Sequence, residues 1–293
     1  MSETYKGTLQ VLASAAGFGT LAIFIKFAYA AGGNTVSILG FRFLAAALFF
    51  WSIIHWRKLS FDVTRRDVIR VCLLGGIGYG AMSALFASTV EVVPAALAGM
   101  LLYTYPAQVS ILSFLLGDEQ FTWRKGFALA LCFCGLWLVL DASFANVGIK
   151  GLVLGISSAF VYSAYIVLGN RLIRHVDPLL TTTLVCSSTA VLFLLAGAVS
   201  GNLMIHLPAV GWGAIAGMAL FATVVAILGF FAGMKAIGAT NASIISTVEP
   251  VITVILSAIL LAESITLTQA FGGALILAGV IVLQLGNFQQ NPG

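Results

Sequence analysis

The sequence predicts an all-α polytopic membrane protein of ten transmembrane helices, built as two inverted five-helix repeats, and three observations carry that reading. The 293 residues are 60% hydrophobic and only 8% charged, with a mean hydropathy of +1.08, far from the balance of a soluble domain. Pro106 and Glu119 recur as Pro250 and Glu263, both displaced by 144 residues (250 − 106 and 263 − 119), in surroundings that also set Phe127 on Phe271 and Gly135 on Gly279. Finally, the basic residues collect on alternate connections between the apolar stretches, as the bilayer demands of loops on its inner side.

A hydrocarbon core about 30 Å thick takes about 20 apolar residues of helix, and stretches of that length run between polar punctuation along the whole chain. The first span, Thr8 to Ala30, lacks a short apolar region followed by a small-residue cleavage site and is read as a mature helix, not a signal peptide. It carries Lys26 toward its outer end, and the second span, Thr35 to Trp56, carries Arg42 likewise. Long basic side chains in such places snorkel to the headgroups; carboxylate binding is the alternative reading, with Glu91 a partner for either. The segment Arg57 to Arg70 carries five basic residues with Asp62 and Asp67 and reads as a membrane-surface loop that fixes topology and touches anionic lipid.

The third span, Val68 to Val90, holds Gly75, Gly76, Gly78 and Gly80, which permit close backbone approach, and sets Tyr79, Ser83 and Phe86 on one face at i, i+4, i+7. The fourth, Pro94 to Leu116, contains Tyr103, Tyr105 and Pro106; the fifth, Trp123 to Leu140, contains Cys132 and Cys134. Two residues apart on a helix, those thiols face different ways and form no local chelate; with Cys72 and Cys186 they read as packing residues. The sixth span, Gly148 to Asn170, sets Ser158, Tyr162 and Tyr165 on one face at the same spacing. In the seventh, Leu179 to Ser200, the clusters Thr181 to Thr183 and Ser187 to Thr189 bond back to their own helix carbonyls. The eighth, Ala209 to Ala236, has Gly213 and Gly217 as packing positions; the ninth, Thr240 to Ala262, holds Glu249 and Pro250; the tenth is Leu267 to Gly286.

Counted alternately from the N-terminus, one side of the membrane takes Lys6, Arg57, Lys58, Arg65, Arg66, Arg70, Arg124, Lys125, Arg171, Arg174 and Lys235, eleven residues, while the other takes only Lys150. The positive-inside bias then makes both termini cytoplasmic, which in a bacterium means a multi-pass protein of the inner (plasma) membrane. The repeat is five helices long, so the units are residues 1–146 and 147–293. Five is odd, and the second copy enters the membrane from the opposite side. At an offset of 143, Ser14, Ala15 and Ala16 fall on Ser157, Ser158 and Ala159, and Asn34 falls on Asp177. Two copies facing opposite ways can adopt each other's conformation, which is the basis of alternating access.

Glu249 is the one acid well inside a span, about nine residues from its cytoplasmic start and so about 13 Å deep. An ionised carboxylate there is costly. It reads as a proton or substrate-ammonium site, with Pro250 freeing a backbone carbonyl; the competing reading is a structural acid held by Ser246, Thr247 or neighbouring backbone. Five of the seven tyrosines, Tyr79, Tyr103, Tyr105, Tyr162 and Tyr165, lie inside spans and not in the interfacial belt. They line a face for an amphipathic solute or bond between packed helices. The candidate binding set is Tyr79, Ser83, Tyr103, Ser158, Tyr162, Tyr165, Ser246, Glu249 and Lys26, with Pro94, Pro106 and Pro250 as candidate bends or gates. No catalytic residue, metal ligand or cofactor site is assigned. His55, His175 and His206 lie at span ends or in loops, leaving no base beside a nucleophile at membrane depth.

On Gly19 followed by Lys26, Arg42, Pro94, Pro106 with Glu119, Lys235, Glu249 with Pro250, Glu263, Gly272, Gly273 and Gly279, the chain resembles the EamA-type drug/metabolite transporters over nearly its full length. Phe18 stands where the family often has a tryptophan. Within that superfamily the chain is similar to the bacterial aromatic amino acid exporter, YddG-like, branch. The resemblance implies efflux of small amphipathic metabolites through a central cavity framed by both repeats. Amino acids including aromatic ones are the expected solutes; nucleosides, cationic drugs, or a passive facilitator or channel are the alternatives. The implied partners are a small-molecule substrate and the lipid bilayer. No charge block suggests nucleic acid, and with both repeats in one chain a monomer encloses the site.

Overall fold

The computed structural model describes residues 3–117, 122–173, 175–237, 245–246 and 248–288. Glu119, Arg174, Thr240 and Thr247 lie outside the described residues, as do the side chains of Arg124, Lys125 and Lys235. The described residues are helical apart from short connections. Seven helices are long and apolar enough to cross a membrane: Glu3–Ala30, Thr35–Trp56, Arg65–Val92, Ala95–Leu115, Gly148–Ile173, Pro178–Val199 and Ala209–Met234. Three shorter apolar helices, Gly126–Leu138, Glu249–Leu261 and Leu267–Val282, fall in the predicted fifth, ninth and tenth spans. Large apolar side chains such as Leu195, Ile259 and Phe271 stand exposed on the outside, as lipid-facing positions do. Phe43, Phe50, Leu101, Met218 and Ile276 are buried between the helices.

Several spans are broken, and local chemistry explains where. The first consists of α1 (Glu3–Gly19) and α2 (Leu21–Ala30), separated at Thr20. Helix α3 (Thr35–Trp56) is N-capped by Asn34, whose side chain accepts from Ser37 N at 2.9 Å. Its counterpart in the second repeat, α9 (Pro178–Val199), is capped by Asp177, which accepts from Leu179 N at 2.8 Å. The weak sequence match of Asn34 with Asp177 is thus a shared cap. The third span is α4 (Arg65–Leu73), a π-helical turn over Leu74–Tyr79, and α5 (Gly80–Val92). The eighth repeats this pattern as α10 (Ala209–Ala219), a π-helical turn over Leu220–Val225, and α11 (Ala226–Ile237).

The prolines start helices and do not kink them from within. Pro94 is the N-cap of α6 (Ala95–Leu102), Pro106 lies in the first turn of α7 (Tyr105–Leu115), and Pro250 lies in the first turn of α12 (Glu249–Leu261). There the missing N–H breaks no helical bond. Helix α8 runs over Trp123–Ile173, interrupted only at Gly148 (φ 70°, ψ 157°), where a glycine-favouring backbone divides the predicted fifth and sixth spans. The chain closes with α13 (Leu267–Phe288).

The fifth and tenth spans meet through a reciprocal contact. A Cβ at Gly135 would lie 2.5 Å from Gly272 O and 2.8 Å from Ile276 N, and one at Gly279 would lie 2.7 Å from Ala128 O and 2.5 Å from Cys132 Sγ. Gly272 and Ile276 are the repeat mates of Ala128 and Cys132, so each glycine seats on the same positions of the other helix, as an isologous interface requires. As positions fall from Gly135 to Ala128 on α8, their partners rise from Gly272 to Gly279 on α13, so the two helices run antiparallel. Helices α3 and α9 are paired the same way. Asn34 Nδ2 donates to Asn202 O at 2.6 Å, while further along Trp51 Nε1 donates to Ser187 Oγ at 3.0 Å.

Two surface readings need correction. Half of the predicted loop from Arg57 to Arg70 is the start of α4, capped by Thr64, and Asp67 pairs both with Arg70 (3.3 Å) and with His175 Nε2 (3.3 Å) from the connection after the sixth span. That acid therefore ties the two repeats together. In the seventh span Thr182, Thr183, Ser187 and Ser188 donate back to their own helix, but Thr189 donates to Gly75 O in the first π-turn at 3.0 Å.

Candidate functional site

Breaking the spans leaves room between them. A cavity of about 230 Å³ is lined by side chains from both repeats: Phe18, Leu21 and Ile25 of the first span, Arg42 of α3, Tyr79, Met82, Ser83 and Phe86 of the third, Leu102, Tyr103 and Tyr105 of the fourth, Tyr162, Phe230, Ser246 and Glu249. Of the sequence-predicted set, Tyr79, Ser83, Tyr103, Tyr162, Ser246 and Glu249 meet here. The face Tyr79, Ser83, Phe86 is wholly turned to the cavity. Phe18, at the place where a tryptophan was expected, lines it too.

Three predicted residues stand elsewhere. Ser158 is buried and donates to Gly155 O at 2.7 Å, so its hydroxyl serves its own helix. Tyr165 sits behind the wall, its ring 5.4 Å from that of Tyr79 and stacked 6.2 Å from that of Tyr162. Lys26 is half-buried and lies within electrostatic reach of Glu263, outside the cavity lining. Glu91 is exposed and, among the described residues, pairs with neither Lys26 nor Arg42.

The tyrosines form one cluster. Ring centroids of Tyr103 and Tyr105 are 6.0 Å apart, Tyr105 and Tyr162 4.8 Å, and Tyr162 and Tyr79 6.4 Å. The geometry is edge-to-face throughout this series, which aromatic quadrupoles favour. Tyr103 Oη is placed to donate to Ser246 O at 2.9 Å and to Glu249 Oε2 at 3.2 Å. The carboxylate is thus oriented by a hydroxyl from the other repeat. Thr253 Oγ1 donates to Gly19 O (3.0 Å) and to Glu249 O (3.2 Å), fastening the Glu249 turn to the break in the first span.

Arg42 is the residue that sequence reasoning misplaced. It is 3% exposed and does not snorkel: Nε donates to Thr223 Oγ1 at 3.1 Å, and its Cζ stands 4.8 Å from the Phe43 ring centroid. Among the described residues no carboxylate forms an ion pair with it. Its guanidinium faces the cavity, and the planar fork of a guanidinium matches the geometry of carboxylates and phosphates. The signal was in the sequence, since a cation inside a span marks a pathway more often than an anchor.

Glu263 also has a definite task. Its two carboxylate oxygens accept from Ala95 N (2.9 Å) and Ala96 N (3.3 Å), the first free amides of α6. Pro94, the N-cap residue, has no side-chain acceptor to offer, and the acid of the other repeat supplies it.

Comparison with known proteins agrees with this architecture. The model of the EamA-like transporter family matches twice, over residues 5–141 and 149–285. An uncharacterized transporter of Archaeoglobus fulgidus is 30% identical over 281 residues, covering 94% of this chain and 95% of its own length. The uncharacterized inner membrane transporter YicL of Salmonella typhimurium is 25% identical over 303 residues, covering 97% of both. A crystal structure 19% identical in sequence superposes with a TM-score of 0.68, over 95% of this chain and 97% of the other, and shares its fold. With two family matches spanning nearly all of its length, this chain belongs to the EamA-like transporter family and is a multi-pass membrane transporter.

Proposed function

We propose that this transporter exports small zwitterionic metabolites, amino acids including aromatic ones, from the cytoplasm by alternating access. The observation that carries the reading is that Arg42, which has no ion pair among the described residues, and Glu249 line one tyrosine-rich cavity. An α-carboxylate suits the planar guanidinium fork, an α-ammonium suits the carboxylate, and an aromatic side chain suits the tyrosine edges and faces. At about 230 Å³ the cavity falls below the roughly 300–1,000 Å³ of drug-sized sites, which favours a small solute.

The same reading takes ten spans in two inverted repeats, residues 1–146 and 147–293, in the bacterial inner membrane with both termini cytoplasmic. The antiparallel, reciprocal packing of the fifth and tenth spans supports the inversion, and the eleven-to-one distribution of basic residues supports the orientation. A monomer suffices for a cavity lined from both halves. The YddG-like substrate range fits the tyrosine cluster.

Reconstituted protein tests it. Labelled phenylalanine should enter proteoliposomes with trans-stimulation by unlabelled phenylalanine, which a channel does not give. Glu249 alone would serve a cationic drug, and Arg42→Gln separates the readings: it weakens phenylalanine transport under the present proposal and spares a cation under the alternative. Flux unaffected by both Arg42→Gln and Glu249→Gln removes the zwitterion site.

A further inference from the structure

A π-helical turn is rare, and where it occurs it re-aims the side chains that follow. Here there are two, Leu74–Tyr79 in the third span and Leu220–Val225 in the eighth, 146 residues apart (220 − 74), so each repeat carries one at nearly the same place. Thr223 of the second turn accepts from Arg42 Nε, and Tyr79, the last residue of the first turn, lines the same cavity as Arg42.

Thr223 also closes its own turn. Its hydroxyl donates to Met218 O at 3.1 Å, five residues back, leaving the oxygen lone pairs for the guanidinium. Proton direction is thereby fixed: Met218 O takes the hydroxyl hydrogen, and the hydroxyl oxygen takes the Arg42 N–H. Nε is held, and the terminal nitrogens of the fork carry the donors that a carboxylate would use.

We propose that Thr223, presented by the π-turn of the eighth span, is the positioning residue that aims Arg42 at the substrate carboxylate. This rests on the proposed zwitterion site and adds a residue outside the cavity lining to it. The counterpart contact, Thr189 Oγ1 to Gly75 O, fastens the first π-turn to α9 as Arg42 fastens the second to α3. Each turn is held by the second span of the opposite repeat.

The test compares phenylalanine with phenethylamine, the same solute without its carboxylate, as competitors of labelled phenylalanine flux in proteoliposomes. Thr223→Val keeps the shape and removes the hydroxyl. It should raise the KM for phenylalanine by about five- to tenfold, the net worth of a typical hydrogen bond, with maximal rate within about twofold and the inhibition constant of phenethylamine unchanged. Thr223→Ser should restore the wild-type values. Equal losses for both solutes, no loss for either, or failure of serine to rescue overturns the positioning role. If Arg42→Gln weakens phenylalanine but not phenethylamine while Thr223→Val weakens neither, only the positioning role falls. If Arg42→Gln fails to discriminate the two solutes, the zwitterion site falls and the positioning role with it.

Discussion

Removing the acid at Glu263 tests how far one repeat depends on the other for its folding. Its carboxylate holds two amides, at 2.9 and 3.3 Å, at the start of a helix whose own N-cap position is proline. A helix cap contributes about 1 kcal/mol, and a negative charge beside the helix N-terminus adds about 0.3–1 kcal/mol. Glu263→Ala should therefore cost about 2 kcal/mol, and Glu263→Gln, which keeps one acceptor but no charge, about half of that. Thermal unfolding in detergent, followed by tryptophan fluorescence, should rank wild type above Gln above Ala. At roughly 2–4 °C per kcal/mol the alanine variant should melt about 4–8 °C lower. An alanine variant melting within about 1 °C of wild type, or a glutamine variant below it, would refute the cap.

Tyr103→Phe should slow phenylalanine transport about tenfold, because it removes the hydroxyl shared by Ser246 O and Glu249 while keeping the ring; initial rates in proteoliposomes measure it. Lys26→Gln should leave the KM within about twofold, a side chain outside the cavity making no contact with the solute. Gly75→Ala should lower the yield of folded protein on size exclusion and cost on the order of 2 kcal/mol, since the new methyl would stand 2.7 Å from the Val185 backbone. Alanine at Gly135 and at Gly279 should destabilise about equally in the same melts, the two sites making the same contact from either side.

Hydropathy and the 144-residue displacement were enough for the helical architecture and the doubling, because these depend on periodicity; Gly135 and Gly279 were visible as repeat mates, but not the contacts that each makes with the other's helix. The match of Asn34 with Asp177 was legible as part of the repeat, and the structure shows that both residues cap helices. Six of nine predicted binding residues reached the cavity, each standing in a polar or aromatic face on an otherwise apolar helix. Ser158 shared such a face and failed, since a serine satisfied by its own helix looks identical in sequence. Thr223 and the π-turns were out of reach of a reading that assumed 3.6 residues per turn. One extra residue in a turn swings all that follows, and no composition signal announces it. Glu263 was visible as a repeat marker, but its role depends on an amide 168 residues away.

The crossing of α8 and α13 near Cys132 and Ile276, where a thiol lies 3.7 Å from a carbonyl oxygen, has a mechanical corollary. In a carrier whose halves trade shapes, points on the relating axis stay put while those far from it travel. Under the proposed alternating access this crossing serves as the fulcrum, and a covalent bridge there, made from Cys132 and a cysteine introduced at Gly279, should be tolerated through the whole cycle. A bridge between positions 34 and 202, out at the rim, should lock it.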